Sequence, residues 1–358
     1  MTRALATIRR IEEILPIEGA DNIDKARVDG WWVVVKKGEF AVGDLVIYCE
    51  IDSWLPQSLA PFLCKDYKEY NGVPGARLKT VRLRGQISQG LLLPVQTSYP
   101  DGLPYGKGVV TSANGTEMFV NEGDDVTDLL GVQKWEAPIS AQLAGQVKGG
   151  FPSFIRKTDQ ERIQNLRKNL DQWHEEDTVW EITEKLDGTS FTAFINDGEF
   201  GVCSRNLHLR EDDTNTYWRV ARELNLEERM RALNSNFAIQ GEIVGEGIQK
   251  NRYNLKGQHL FVFAVFDINE YQYLDPAARK VVVEVFLKLQ QIPMLSKLHM
   301  RRGSEYAPWS VDQLLLMAEG KSVLNAKTER EGLVFNRYGD VRESFKAISN
   351  KFLMKGGD

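Results

Sequence analysis

Cysteine is scarce, with three in 358 residues (Cys49, Cys64 and Cys203). None forms a C-x-x-C pair, so the chain lacks the residues for a disulfide framework or a structural zinc site. Histidine is also rare. His174, His208, His259 and His299 fall into no ligand spacing, which removes a histidine-built metal centre from consideration. No apolar run approaches the ~18 residues of a membrane span, and the opening MTRALATIRRIEEIL lacks the apolar core and cleavage site of a secretory signal. These absences lead us to expect an intracellular protein, cytoplasmic or, in a eukaryote, nuclear, that is a monomer with no membrane partner. Internal repeats, low-complexity tracts and βαβ alternation are likewise missing.

What is present is an ordinary globular composition, 42% hydrophobic and 27% charged, on a chain long enough for two cores. The net charge of −5 argues against a uniformly basic coat. Basic residues nonetheless gather in strips, Arg77, Lys79, Arg82 and Arg84 in one, Arg156, Lys157, Arg162, Arg167 and Lys168 in another. Such strips are usually solvated faces, yet a strip along a groove also tracks phosphates.

Residues 1–137 read as short strands punctuated by glycine, the texture of a small β-barrel, with an irregular excursion over 97–125. Residues 138–176 turn charged and helical, with apolar spacing at Ile163, Leu166 and Leu170 and a cap expected at Thr158 or Asp159, and read as a bridge. From 177 to 358 strands return, with helices expected near 215–233, 276–290 and 310–319. Strands and helices mixed in this way predict an α+β fold.

The stretch EKLDGTS (184–190) raises the question of chemistry. A lone K-x-D-G arises by chance in roughly one such chain in twenty. On a strand Lys185 and Asp187 share a face before Gly188 and Thr189 turn the chain. A free lysine, with pKa ~10.4, is a protonated and poor nucleophile at neutral pH. Desolvation and nearby cations are what free its amine. Magnesium held by carboxylates would supply such charge, and Glu242 in QGEIVGEG and Glu331 in EGLVFN occupy similar strand settings. Lys346 and Lys351 are compact charges suited to phosphate oxygens.

Six motifs in order, KLDG (185–188), SRN (204–206), GEI (241–243), FAVFDI (263–268), EGLVF (331–335) and SFKAIS (344–349), resemble those of the covalent nucleotidyltransferase superfamily, which holds ATP-dependent RNA and DNA ligases and mRNA capping enzymes. With the barrel in front and the FPSFIRKTDQERIQNL bridge, the entire chain is similar to RNA ligases of the Deinococcus–Naegleria type. The second OB domain of capping enzymes and DNA ligases is not seen after Lys351. The resemblance implies an amino-terminal OB-type β-barrel for nucleic acid (1–137), a bridging segment (138–176), and an adenylyltransferase domain (177–358) of ATP-grasp-like, antiparallel sheets with flanking helices. It implies ATP-dependent joining of RNA, or RNA/DNA, ends through lysyl-AMP, in nicked duplexes during RNA repair, with Mg2+ or Mn2+.

The same resemblance distributes roles. Lys185 would be the nucleophile. Asp187, Glu242 and Glu331 would hold the metal mainly through water, as befits an ion that dehydrates reluctantly. Thr183 and Glu184 would bring backbone groups to the adenine amine, Arg205 would bind ribose or 5′-phosphate, and Phe266 would stack on adenine. Lys346 would bind the α-phosphate. More distant RNA ligases carry a second lysine two residues later, where this chain has Ile348, so Lys351 is the replacement expected here. Lys157 and Arg162 would orient pyrophosphate, and Glu246 is a weaker alternative to Glu242. In the barrel, Arg77, Lys79, Arg82, Arg84, Trp31 and Trp32 are candidates for nucleic-acid contact, the tryptophans also fitting a core. Two other readings compete: a capping-type guanylyltransferase using GTP, and a catalytically idle RNA-binding adapter.

Overall fold

The computed structural model describes residues 4–96, 108–136, 145–301, 308–339 and 343–355. The chain divides into two compact units, Met1–Pro138 and Ile139–Asp358.

In the first unit the strand Leu45–Cys49 runs between Ala6–Arg10 and Leu91–Pro94, antiparallel to both. It is buried along its whole length because its two faces serve two cores. Leu45, Ile47 and Cys49 pack with Ile8, Leu55 and Val126. Val46 and Tyr48 pack instead with Trp31, Val33 and Leu92. A meander of Glu13–Pro16, Ile23–Val28 and Trp31–Lys36 covers the second core. Its last strand alternates, with Trp31, Val33 and Val35 inward, as the period of a half-buried strand requires. Ser53–Pro56 and Val73–Arg77 pair in a further sheet. That strand ends at Arg77, and a hairpin of Val81–Leu83 with Gln86–Ser88 follows. Its two-residue turn, Arg84-Gly85, has φ of 48° and 86°, the left-handed pair that tight hairpins need. Of the expected excursion, 97–107 lies outside the described residues, and Gly108–Thr111 pairs with Glu117–Val120.

Among the described residues the second unit holds two sheets. Seven strands run in the order Val147–Gly150, Leu207–Leu209, Glu199–Cys203, Thr189–Asn196, Phe237–Gly245, Gln258–Asp267, Gln272–Tyr273. Five others run Glu161–Arg162, Ser344–Ile348, Gly332–Arg337, Thr178–Lys185, Met294–Met300. All pairs are antiparallel except Glu161–Arg162 with Phe345–Lys346. Helices Thr216–Glu223 and Leu226–Arg231 cover the larger sheet, burying Trp218, Ala221 and Met230 against Phe191 and Ile239. Arg167–Glu175 and Val311–Ala318 cover the smaller one, around a cluster containing Trp173, Trp180, Phe335 and Phe345. Asn215 and Ser310 cap two of these helices with their side chains.

The expected bridge is differently built. Within 145–176 the chain supplies an edge strand to each sheet before its helix starts at Arg167, and neither Thr158 nor Asp159 caps it. A tight helical turn over Ile163–Leu166 precedes that helix, and Ile163, Leu166 and Leu170 all pack on the cluster of the smaller sheet, as their spacing expects.

The KLDG stretch is the crossing between the two sheets. Lys185 ends a strand of the smaller sheet, and Thr189 begins one in the larger.

Candidate active site

The two sheets of the second unit enclose a cavity of about 950 Å³, counting its open mouth. Thr183 and Lys185 reach it from one sheet, Ser190, Thr192, Gln240 and Glu242 from the other. The register explains the second set. Ser190 stands opposite Glu242 and Thr192 opposite Gln240, two rows on one face.

Lys185 is partly buried, its side chain 27% exposed, and its Nζ lies 2.7 Å from Oε1 of Glu331. Oε2 of Glu331 is buried and without a hydrogen-bond partner. Glu242 accepts from the backbone N–H of Gly188 at 3.1 Å through Oε1. Gly188 has no room for a side chain, since a Cβ would stand 2.3 Å from the Ile243 carbonyl and 2.9 Å from Cγ of Glu242. Asp187 pairs with Arg252, and its N–H donates to the Tyr253 hydroxyl at 2.7 Å. Lys346 lies on the cavity wall, opposite Val334 in the strand register.

The acids crowd one another. Burial pushes the Glu242 carboxyl up to about 8, with Lys185 opposing and Glu331 adding to the rise. Burial also raises Glu331, against the pull of Lys185. For Lys185 itself, burial works to lower the pKa, but Glu331, Glu242 and Asp187 together outweigh it and raise the ammonium above its usual value. The amine is therefore held protonated until those carboxylates are neutralised. Three acidic side chains around one lysine, one with an orphaned buried oxygen, fit a divalent cation. Among the described residues no three acidic, histidine or cysteine groups converge closely enough to hold a bare ion, so the fit is to an ion that keeps much of its water.

Other expected residues divide. Lys157 and Arg205 line the cavity, Lys157 donating to Asn206 at 2.9 Å and Arg205 paired with Asp159 at 2.9 Å. The side chain of Thr183 donates to the Val334 carbonyl at 3.3 Å. Glu184 turns its carboxylate to the opposite side, where Oε2 accepts from Val323 N–H at 2.7 Å. Arg162 is buried at 8% exposure, beside Lys346 in the sheet but off the cavity wall. Glu246 is exposed beyond the strand.

Two expectations need correction. Phe266 does not reach the cavity. It is fully buried among Phe194, Ala238 and Ile155, with Tyr273 edge-on at 4.9 Å. The aromatics on the cavity wall are Phe151, Phe191 and Phe263, the last from the same strand as Phe266. Between Gln240 and Gly241 the register slips by one, their partners being Ala264 and Val262, which leaves Phe263 unopposed. A bulge re-aims its extra residue in this way, and the period of two cannot forecast it. Lys351 is also elsewhere, 61% exposed on helix Asn350–Met354 and paired with Glu319 at 2.8 Å. Ile348 is buried against Phe352 and Leu353.

Several site residues carried no sequence signal. Arg252 and Tyr253 reach Asp187 because Gln249, Lys250 and Asn251 all adopt left-handed φ (44°, 56° and 46°), a turn that costs about 1 kcal/mol or more per residue. Arg279 and Glu181 form a buried ion pair behind the cavity. Arg279 also donates to the carbonyl of Phe263 at 3.1 Å, so this pair holds the bulge.

In the first unit Arg77 is bound to Asp52 at 2.5 Å and lies 3.8 Å from the Trp135 ring centroid. Lys79, Arg82 and Arg84 are exposed. Trp31 belongs to the core, whereas Trp32 faces out beneath Lys25 and Arg27.

The model of the RNA ligase family matches residues 178–348, and that of an OB-fold domain matches residues 5–95. Comparison with curated proteins finds no match. Among solved structures, the chain is similar to Naegleria gruberi RNA ligase with pyrophosphate, at 44% identity over 100% of both chains and a TM-score of 0.82. It is similar to a mutant of that ligase with AMP and manganese (44%, 99% of each chain, TM-score 0.83) and to another with ATP and manganese (44%, 98% of each, 0.82). Identity at this level over the full length, on a site with this geometry, establishes that the chain belongs to the RNA ligase family.

Proposed function

We propose that this RNA ligase is ATP-dependent and seals breaks between a 5′-phosphate and a 3′-hydroxyl end, with RNA at the 3′-hydroxyl. One observation carries the reading: Lys185 stands at a cavity between two sheets, 2.7 Å from Glu331, with Lys346, Arg205 and Glu242 on the same walls. The complexes of the Naegleria ligase with ATP, AMP and pyrophosphate support ATP as donor and pyrophosphate as leaving group.

In the first step Nζ of Lys185 forms a bond to the α-phosphorus. The bond from that phosphorus to the bridging oxygen breaks, and pyrophosphate leaves with the electron pair. The ammonium must first give up a proton, and Glu331 is the carboxylate in reach. Negative charge builds on the non-bridging oxygens, where Lys346 provides a fixed cation. Asp187, Glu242 and Glu331 would hold Mg2+ or Mn2+ through water, and the ion when bound supplies the positive charge that these acids otherwise draw from Lys185. AMP then passes to the 5′-phosphate of a nucleic-acid end. The 3′-hydroxyl attacks that phosphate and AMP leaves. Arg205 and Lys157, on the cavity wall, suit the phosphates of nucleotide and strand. The exposed Lys79, Arg82 and Arg84 suit a nucleic-acid platform in the OB-fold unit.

The test is covalent labelling. ATP labelled at the α-phosphate should leave AMP on the protein, and Lys185→Ala should remove it. A strong label in that variant sinks the proposal, and label from GTP but not ATP would move the chain to capping chemistry. Nicked duplexes that differ only in the sugars at the break then define the strand preference.

A further inference from the structure

Gln240 lines the cavity, is 2% exposed, and has a side-chain oxygen without any hydrogen-bond partner. Its orientation is set independently of that oxygen. The carbonyl of Arg156 accepts from the Gln240 amide at 3.0 Å and from the Tyr273 hydroxyl at 2.7 Å. A carbonyl accepts only, so the nitrogen end must face it and Oε1 is the end left over. Buried acceptors in native proteins are satisfied as a rule, and an orphan on a cavity wall calls for a donor from the ligand.

The position in the sheet says which part of the ligand. Glu242, opposite Ser190, belongs to the row beside Lys185, and Gln240, opposite Thr192, lies one row further on. Two residues along a strand is about 7 Å, the step from a nucleotide's sugar toward the far edge of its base. Phe263, aimed into the cavity by the bulge beside Gln240, gives that base a face to lie on. We infer that Gln240 Oε1 accepts a hydrogen bond from the exocyclic amine of the donor's adenine and selects a 6-amino purine. The inference rests on the proposal that ATP is the donor.

The experiment compares AMP-type transfer to the full-length protein from ATP, from purine riboside triphosphate (hydrogen in place of the amine) and from 2′-deoxy-ATP, each well below saturation. Label from ATP on the wild type secures the underlying reaction, so only the ratios bear on Gln240. The wild type should use purine riboside triphosphate about 10- to 100-fold less efficiently than ATP, as expected where a buried polar group loses its partner. Gln240→Met should lower the ATP efficiency by a similar factor and leave the analogue nearly unchanged. Equal losses for both nucleotides would overturn the inference, and so would a variant that loses discrimination only against 2′-deoxy-ATP. If Gln240→Met fails to fold, equal use of ATP and the analogue by the wild type still refutes the inference.

Discussion

The buried pair behind the cavity offers a quantitative test. Arg279 and Glu181 are each under 5% exposed and meet through two hydrogen bonds of 2.7 and 2.9 Å. Arg279→Met would strand the Glu181 carboxylate, leaving it the Asn336 amide at 3.5 Å. Removing one member of such a pair costs about 3–5 kcal/mol, whereas replacing both by apolar residues is often close to neutral. Glu181→Leu alone should cost a similar amount, and the double variant only about 1–2 kcal/mol, far from the sum of the singles. At ~2–4 °C per kcal/mol for a unit of this size, each single variant should lose roughly 10 °C and the double only a few degrees. Thermal unfolding of the four proteins measures the cycle. The carbonyl of Phe263 loses its donor in both Arg279 variants. KM for ATP should therefore rise in the double variant although its stability is largely restored. Additive losses, or a double variant with an unaltered KM, would refute the reasoning.

Three further outcomes follow from the site. Glu242 has a folded pKa of about 8, above the ordinary 4.5, so its stabilising contribution is complete below 4.5 and is lost as pH rises toward 8. In chelator, Glu242→Gln should therefore gain in Tm over the wild type between pH 5 and pH 8 while abolishing AMP transfer; a Tm difference that is flat with pH would contradict this. Gly188→Ala should cut AMP transfer at least ~10-fold, since the added methyl displaces the Glu242 side chain that the Gly188 N–H holds; wild-type labelling rates would count against it. Lys351→Ala should label within about threefold of wild type, because an exposed pair with Glu319 carries little energy and lies off the cavity; loss of labelling would return Lys351 to the chemistry.

Much of the site was legible as an order of motifs. Lys185, Asp187, Glu242, Glu331 and Lys346 each sit within a short local signature; Lys185, Glu242 and Lys346 are on strands, while Asp187 follows the end of one strand and Glu331 immediately precedes another. The two-unit division and the predominance of antiparallel strands also show in glycine-punctuated texture and the lack of βαβ alternation. Which phenylalanine of Gln258–Asp267 lines the cavity was not legible because Phe261, Phe263 and Phe266 are alike in sequence, and a single unopposed residue puts Phe263 there.

By itself, the sequence determined which chemistry to look for, since the lysine proposed as nucleophile, its acids and the lysine proposed to bind phosphate are recognised by residue type and local spacing. Tertiary structure alone decided how that chemistry is supported. Arg252 and Tyr253 meet Asp187 through a left-handed turn, Arg279 reaches Glu181 across 98 positions, and Lys351 is spent on Glu319. Each depends on burial and on hydrogen bonds between segments far apart in the chain, and a period of two or 3.6 residues holds no information about either.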